Sequence, residues 1–113
     1  MKLLLILLTT LFADANAQYA EGNYAEAATQ YEQILQEQPT PEVYYNLGNA
    51  YFKQGELAQS ILAYERALRL KPSFKDAKHN LQFYIYVTTG FLCGVGKDTK
   101  FASHKETTIV KYH

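Results

Sequence analysis

The sequence is poor in cysteine, in proline and in net charge, and each shortage narrows what the chain can be. A single cysteine, Cys93, leaves no internal disulfide and no cysteine-based zinc site. Eleven basic residues balance 11 acidic ones. No basic stripe is long enough to be the electrostatic footprint of nucleic-acid binding, so no nucleic-acid partner is expected. There is no phosphate-cradling loop either: Gly94-Val95-Gly96-Lys97 lacks the leading glycine and the strand-to-helix setting. Cys93, His104 and His113 could be grouped on paper as a thiol–imidazole pair or a metal site, but their spacings match no ligand motif. The expectation is a protein that is not an enzyme and holds no metal or cofactor.

What the chain does have is helical patterning punctuated by its 3 prolines, Pro39, Pro41 and Pro72. The stretch from Pro41 to Pro72 organises the rest. Thr40 can accept a bond from an orphan backbone N–H, and Pro41 suits the first helical position, so a helix is expected to start there. Tyr44, Leu47 and Tyr51 form one apolar stripe at three- and four-residue spacing. Gly48 is the oddity, since glycine inside a helix costs about 1 kcal/mol relative to alanine. Close approach of a second helix, with Tyr64 or Ser60 over the missing side chain, is the expected compensation. Gln54-Gly55 ends the first helix, and the second runs from about Glu56 to Leu70. Leu57, Ile61, Tyr64 and Leu68 line one side of it, with Ala58, Leu62 and Ala67 widening that face.

The unit repeats. Gly22, Tyr31 and Pro39 each have a counterpart 33 residues later, in Gly55, Tyr64 and Pro72. Asn23-x-x-Glu26 reads as a capping box before an apolar series of Tyr24, Ala27, Ala28, Tyr31, Ile34 and Leu35. Ser73-x-x-Asp76 reads as another cap, opening a helix with Ala77, Leu81 and Phe83 on its inner face. The order Tyr44-x-x-Leu47-Gly48-x-x-Tyr51, Ser60-x-x-x-Tyr64 and Pro72 resembles the tetratricopeptide repeat (TPR), whose period is about 34 residues. The resemblance implies an all-α, short helix-turn-helix array acting as a binding scaffold.

The N-terminus carries a different signal. Lys2, the apolar run from Leu3 to Leu8 with Leu11 and Phe12, and then Ala15-Asn16-Ala17 describe a secretory signal peptide with cleavage after Ala17. An uncleaved anchor or a buried first helix would share the pattern. The expected organisation is a signal peptide at 1–17 and a partial repeat at 18–39. A full repeat follows at 41–74, then the first helix of a third, incomplete repeat at 75–87 and an irregular tail at 88–113. In that tail Thr107 to Tyr112 has strand-like composition. One full repeat flanked by partial ones offers little shared core, so self-association is also expected. Residues 18–54 carry Glu21, Glu26, Glu32, Glu37 and Glu42 against Lys53, whereas residues 55–83 are net basic. That asymmetry could steer end-to-end stacking of copies.

The signal, the TPR stretch and the following KDAKHNLQF (Lys75 to Phe83) are similar to the TPR proteins of bacterial aerotolerance (Bat-type) operons. That similarity implies a periplasmic or envelope-associated protein. By analogy with the TPR family, the concave groove would be lined by Tyr45, Asn49, Phe52 and Lys53 in one row and Asp76, His79, Asn80 and Phe83 in the next. The expected partner is a protein or peptide; membrane association and homo-oligomerisation are open as well. Asn49 fits TPRs that clamp a terminal carboxylate, although their cluster of several basic residues is absent.

Overall fold

Glycine turns and proline boundaries divide the chain where the sequence pattern places them. The computed structural model describes residues 2–92, which form five helices and no strand: α1 (Lys2–Ala20), α2 (Tyr24–Glu37), α3 (Pro41–Lys53), α4 (Leu57–Leu70) and α5 (Lys75–Leu92). Gly22 and Gly55 have φ of 88° and 81°, the left-handed region that lets the backbone reverse after α1 and after α3. Thr40 caps α3 by accepting from the Val43 N–H at 3.2 Å, with Pro41 in the first turn. The Asn23 capping box does not form. The Asn23 side chain instead donates to Gln18 Oε1 at 2.7 Å, tying the α1–α2 turn together. Ser73 is not the cap of α5 either; the Lys78 N–H bonds the Phe74 carbonyl, so the helix opens one residue later.

Consecutive helices pair in order, α1 on α2, α2 on α3, α3 on α4 and α4 on α5. The α3–α4 hairpin is the tightest. The Tyr64 ring is fully buried over Gly48, and Ser60 Oγ donates to the Gly48 carbonyl at 2.8 Å. The buried face of α4 is Ser60, Ala63, Tyr64 and Ala67, narrower than the leucine-rich face expected. Small residues let the α3 and α4 backbones close up, which turns Leu62 outward to 43% exposure. One core cluster joins Ala15, Ala27, Ala28, Tyr31, Ile34, Val43, Leu47, Ala50 and Ala63; a second joins Tyr64, Ala67 and Ala77.

At both ends a helix runs across an expected boundary. The segment expected as a signal peptide and the residues after it form one uninterrupted helix. Its second half packs on α2: Ala15 is fully buried, and Leu8, Leu11, Phe12 and Tyr19 lie against the first cluster. Helix α5 continues to Leu92, beyond residue 87 where the helix was expected to end. Cys93, Gly94 to Lys97, His104, Thr107 to Tyr112 and His113 lie outside the described residues.

Candidate functional site

The odd-numbered helices α1, α3 and α5 lie side by side, and two polar clusters of the same design connect them. Tyr31 on α2 donates its hydroxyl to Asn16 Oδ1 on α1, and the same oxygen accepts from Asn46 Nδ2 on α3 at 3.2 Å. Tyr64 on α4 donates to Asn49 Oδ1 on α3, which also accepts from Asn80 Nδ2 on α5 at 3.4 Å. Asn49 and Tyr64 follow Asn16 and Tyr31 by 33 residues, and Asn80 follows Asn46 by 34. Each cluster thus fixes a buried tyrosine in its own hairpin and reaches one helix into the next.

Burial sets the chemistry of the tyrosines. Desolvation pushes the Tyr31 hydroxyl up to about 12, against a smaller opposing pull from Asn46. Tyr64 is raised further, first by burial and then by the neighbouring Tyr84. Both stay protonated and act as hydrogen-bond donors, not as bases.

The asparagines are half-buried, so each keeps amide capacity toward solvent. An asparagine amide offers two donors and an acceptor with two lone pairs. Asn46 spends one N–H on the ladder, whereas Asn80 donates both to Asn49 Oδ1 and to the Tyr45 hydroxyl, each at 3.4 Å, which leaves its carbonyl oxygen outside the ladder. Asn16, Tyr19, Tyr31, Asn46 and Asn49 line a cleft of about 220 Å³.

The eight residues expected in the groove separate into different environments. Asn49 and Asn80 meet, as described. Tyr45 is half-buried between the Tyr64 and Phe74 rings, with centroids at 5.8 and 5.1 Å, and its hydroxyl lies 3.4 Å from Asn80 Nδ2. Phe52 is stacked on Tyr84 at 4.0 Å, joining α3 to α5. Lys53 lies at the far end of α3 with its ammonium 6.0 Å from the Tyr24 ring, on an open hollow shared with Gln18, Gly22, Asn23 and Gln54. Asp76 and His79 are exposed on α5, and Phe83 is 49% exposed with its edge against Tyr84. Sequence reasoning missed Asn16, Tyr19 and Asn46. The 33-residue offset that pairs Tyr31 with Tyr64 also pairs Asn16 with Asn49 and Tyr19 with Phe52, but the signal-peptide reading set Asn16 aside and left Tyr19 at the edge of a partial repeat.

Paired helices with a left-handed glycine turn in each of the first two hairpins, stacked so that alternate helices share a face, define a helical-repeat scaffold. The Tetratricopeptide repeat family model matches residues 12–73, and the chain belongs to that family. The match begins within α1, at Phe12, so it includes Phe12, Ala15 and Tyr19 of the part that packs on α2. Among solved structures, the chain is similar to the Sgt2 TPR domain from Aspergillus fumigatus, with a TM-score of 0.66 and 24% identity; the alignment covers 92% of this chain and 66% of that one. It also aligns with MamA 41-end from Desulfovibrio magneticus RS-1, at a TM-score of 0.42 and 19% identity, over 92% of this chain and 74% of that one. The chain thus spans just under two thirds of the Sgt2 domain. A comparison with curated proteins finds no match. The TPR fold generally serves protein–protein interaction. Among the described residues no three His, Cys, Asp or Glu side chains are grouped to hold a metal ion.

Proposed function

We propose that the chain is a non-catalytic interaction module that takes an extended segment of a partner protein across the α1–α3–α5 face. The observation that carries this reading is the repeated asparagine pair. Two amides one repeat apart, each held on one side by a tyrosine-anchored neighbour, present donors and acceptors at a fixed spacing. An extended peptide backbone offers the same groups in alternation, and preorganised partners spare the ordering cost of binding. The test is a fluorescence-anisotropy screen of a random peptide library, followed by Asn46→Ala and Asn80→Ala. Selected peptides should bind each variant roughly tenfold more weakly, about 1.4 kcal/mol. Unchanged affinity in both variants would remove the asparagines from the site.

In the same reading the module works outside the cytoplasm, delivered by the apolar half of α1, and serves an aerotolerance-related assembly. The apolar run supports export; the aerotolerance role is supported by the sequence resemblance alone. Envelope fractionation of the source cell tests the first, and oxygen sensitivity of a deletion strain tests the second. Recovery in the cytoplasm, or wild-type oxygen tolerance, removes the corresponding part. A self-assembling role is favoured by one feature: Phe83 and Val87, one turn apart on α5, are 49% and 41% exposed. Stacking through them predicts a dissociating oligomer in a sedimentation dilution series.

A further inference from the structure

The second half of α1 is built into the first repeat. Asn16 Oδ1 accepts from both Tyr31 and Asn46, and Ala15 is fully buried at the register that Gly48 holds in the next hairpin. A cut after Ala17 would remove both residues, together with Leu8, Leu11 and Phe12 from the core. The Tyr31 hydroxyl, buried with the rest of its side chain, would lose its acceptor.

The first half of α1 has the opposite character. Leu3, Leu4, Leu5, Ile6 and Leu7 are 77%, 42%, 52%, 59% and 65% exposed. Five successive helical residues point in directions about 100° apart, so this tip is apolar on every side. Another protein surface would cover one stripe of it, whereas a helix that is apolar all round needs a medium that surrounds it. Thr9 and Thr10 suit the same surroundings, because both hydroxyls donate to the Ile6 carbonyl, at 2.8 and 2.9 Å, and need no water.

We infer that α1 is kept in the folded protein as a one-leaflet lipid anchor, with Lys2–Leu7 in the bilayer interface and Leu8–Ala20 as the first helix of repeat one. The whole helix is long and apolar enough to cross a membrane by length and composition. Once Leu8, Leu11, Phe12 and Tyr19 are held by the repeat, residues 2–7 extend about 9 Å beyond it, against a hydrocarbon core of about 30 Å. Those six residues reach into one leaflet. Lys2 reaches back to the headgroups along its own aliphatic stem. The tip itself, Lys2–Leu7, lines no part of the groove, so a variant confined to the tip tests the anchor without touching peptide binding.

The test uses the full chain, exported by a bacterial host with a C-terminal tag and read by intact mass, circular dichroism and flotation with phosphatidylcholine vesicles. Neutral lipid isolates apolar insertion from charge attraction. The inference expects residues 2–17 to be present and the protein to float. A Leu3→Gln/Leu4→Gln/Leu7→Gln variant should show a roughly tenfold smaller vesicle-bound fraction with unchanged helicity and unchanged peptide binding. Three results would overturn it: a product processed after Ala17 with the same melting temperature as the unprocessed chain, a wild type that stays in the bottom fraction, or equal flotation of the triple variant. A concentration-dependent dimer that is lost in the triple variant, without flotation of the wild type, would give the tip to a second copy instead.

Discussion

The Tyr64 ring fills the space that a side chain at Gly48 would need: a methyl group there would lie 2.7 Å from Cε1 and 2.9 Å from Cδ1 and Cζ. The ring is fully buried, so it has nowhere to move. Gly48→Ala gains about 1 kcal/mol of helix propensity but overpacks the hairpin by about 1–3 kcal/mol. The expected outcome is a net loss of roughly 1 kcal/mol in urea unfolding. A more stable Gly48→Ala protein would mean that the α3–α4 seam is looser than described.

Ala15 stands at the same register in repeat one, and there a methyl group is already accommodated. Ala15→Gly should therefore destabilise, by about 1 kcal/mol from helix propensity and more from the lost contact. The two substitutions are chemical opposites yet shift unfolding midpoints in the same direction. That is the pattern expected if α1 is a genuine repeat helix whose packing distance differs from that of α3.

Asn16→Ala strips the acceptor from a buried tyrosine hydroxyl, and an unsatisfied buried donor costs about 1–3 kcal/mol. Tyr31→Phe removes the donor instead and should cost about 1 kcal/mol. In the double variant the costs should not add, because both act on one bond. Additivity in thermal melts would place Asn16 outside the core of repeat one.

Stability should fall at high pH. The Tyr31 hydroxyl titrates near 10 when unfolded and near 12 when folded, because burial disfavours its anion. A raised acid pKa means the unfolded chain gives up its proton first. The contribution is complete below pH 10 and is lost as pH rises to about 12, at about 1.4 kcal/mol per unit. Tyr64 is raised by burial as well and steepens the decline. Melting temperature measured against pH should be flat through neutrality and drop above 10, less steeply in Tyr31→Phe.

The hairpin at Pro41 to Pro72 was legible because its punctuation is chemical. Thr40-Pro41, Gly48 against Tyr64, and the glycine at Gly55 each have one good structural solution. The exact buried face of α4 was less legible, since periodicity favours leucines while close backbone approach favours Ser60, Ala63 and Ala67. The N-terminus was ambiguous for a physical reason. An apolar helix that ends in small residues meets the needs of a signal sequence and of a helix packed tightly on its neighbour, and Ala15-Asn16-Ala17 satisfies both. The Tyr31–Asn16 pair, read against Tyr64–Asn49, is the feature that the second use alone calls for. Groove residues such as Tyr45 and Phe52 were placed by position along α3, but their rings turn toward Phe74 and Tyr84, where aromatic contact is available.

The binding face can be located by an NMR titration of the isotopically labelled protein with a library-selected peptide. The account predicts that side-chain amide signals of Asn16, Asn46, Asn49 and Asn80 shift together. It also predicts that residues of the opposite cleft, Leu35, Leu62 and Arg66 among them, stay still. Shifts confined to Leu35, Leu62 and Arg66, with the four asparagines unmoved, would contradict it.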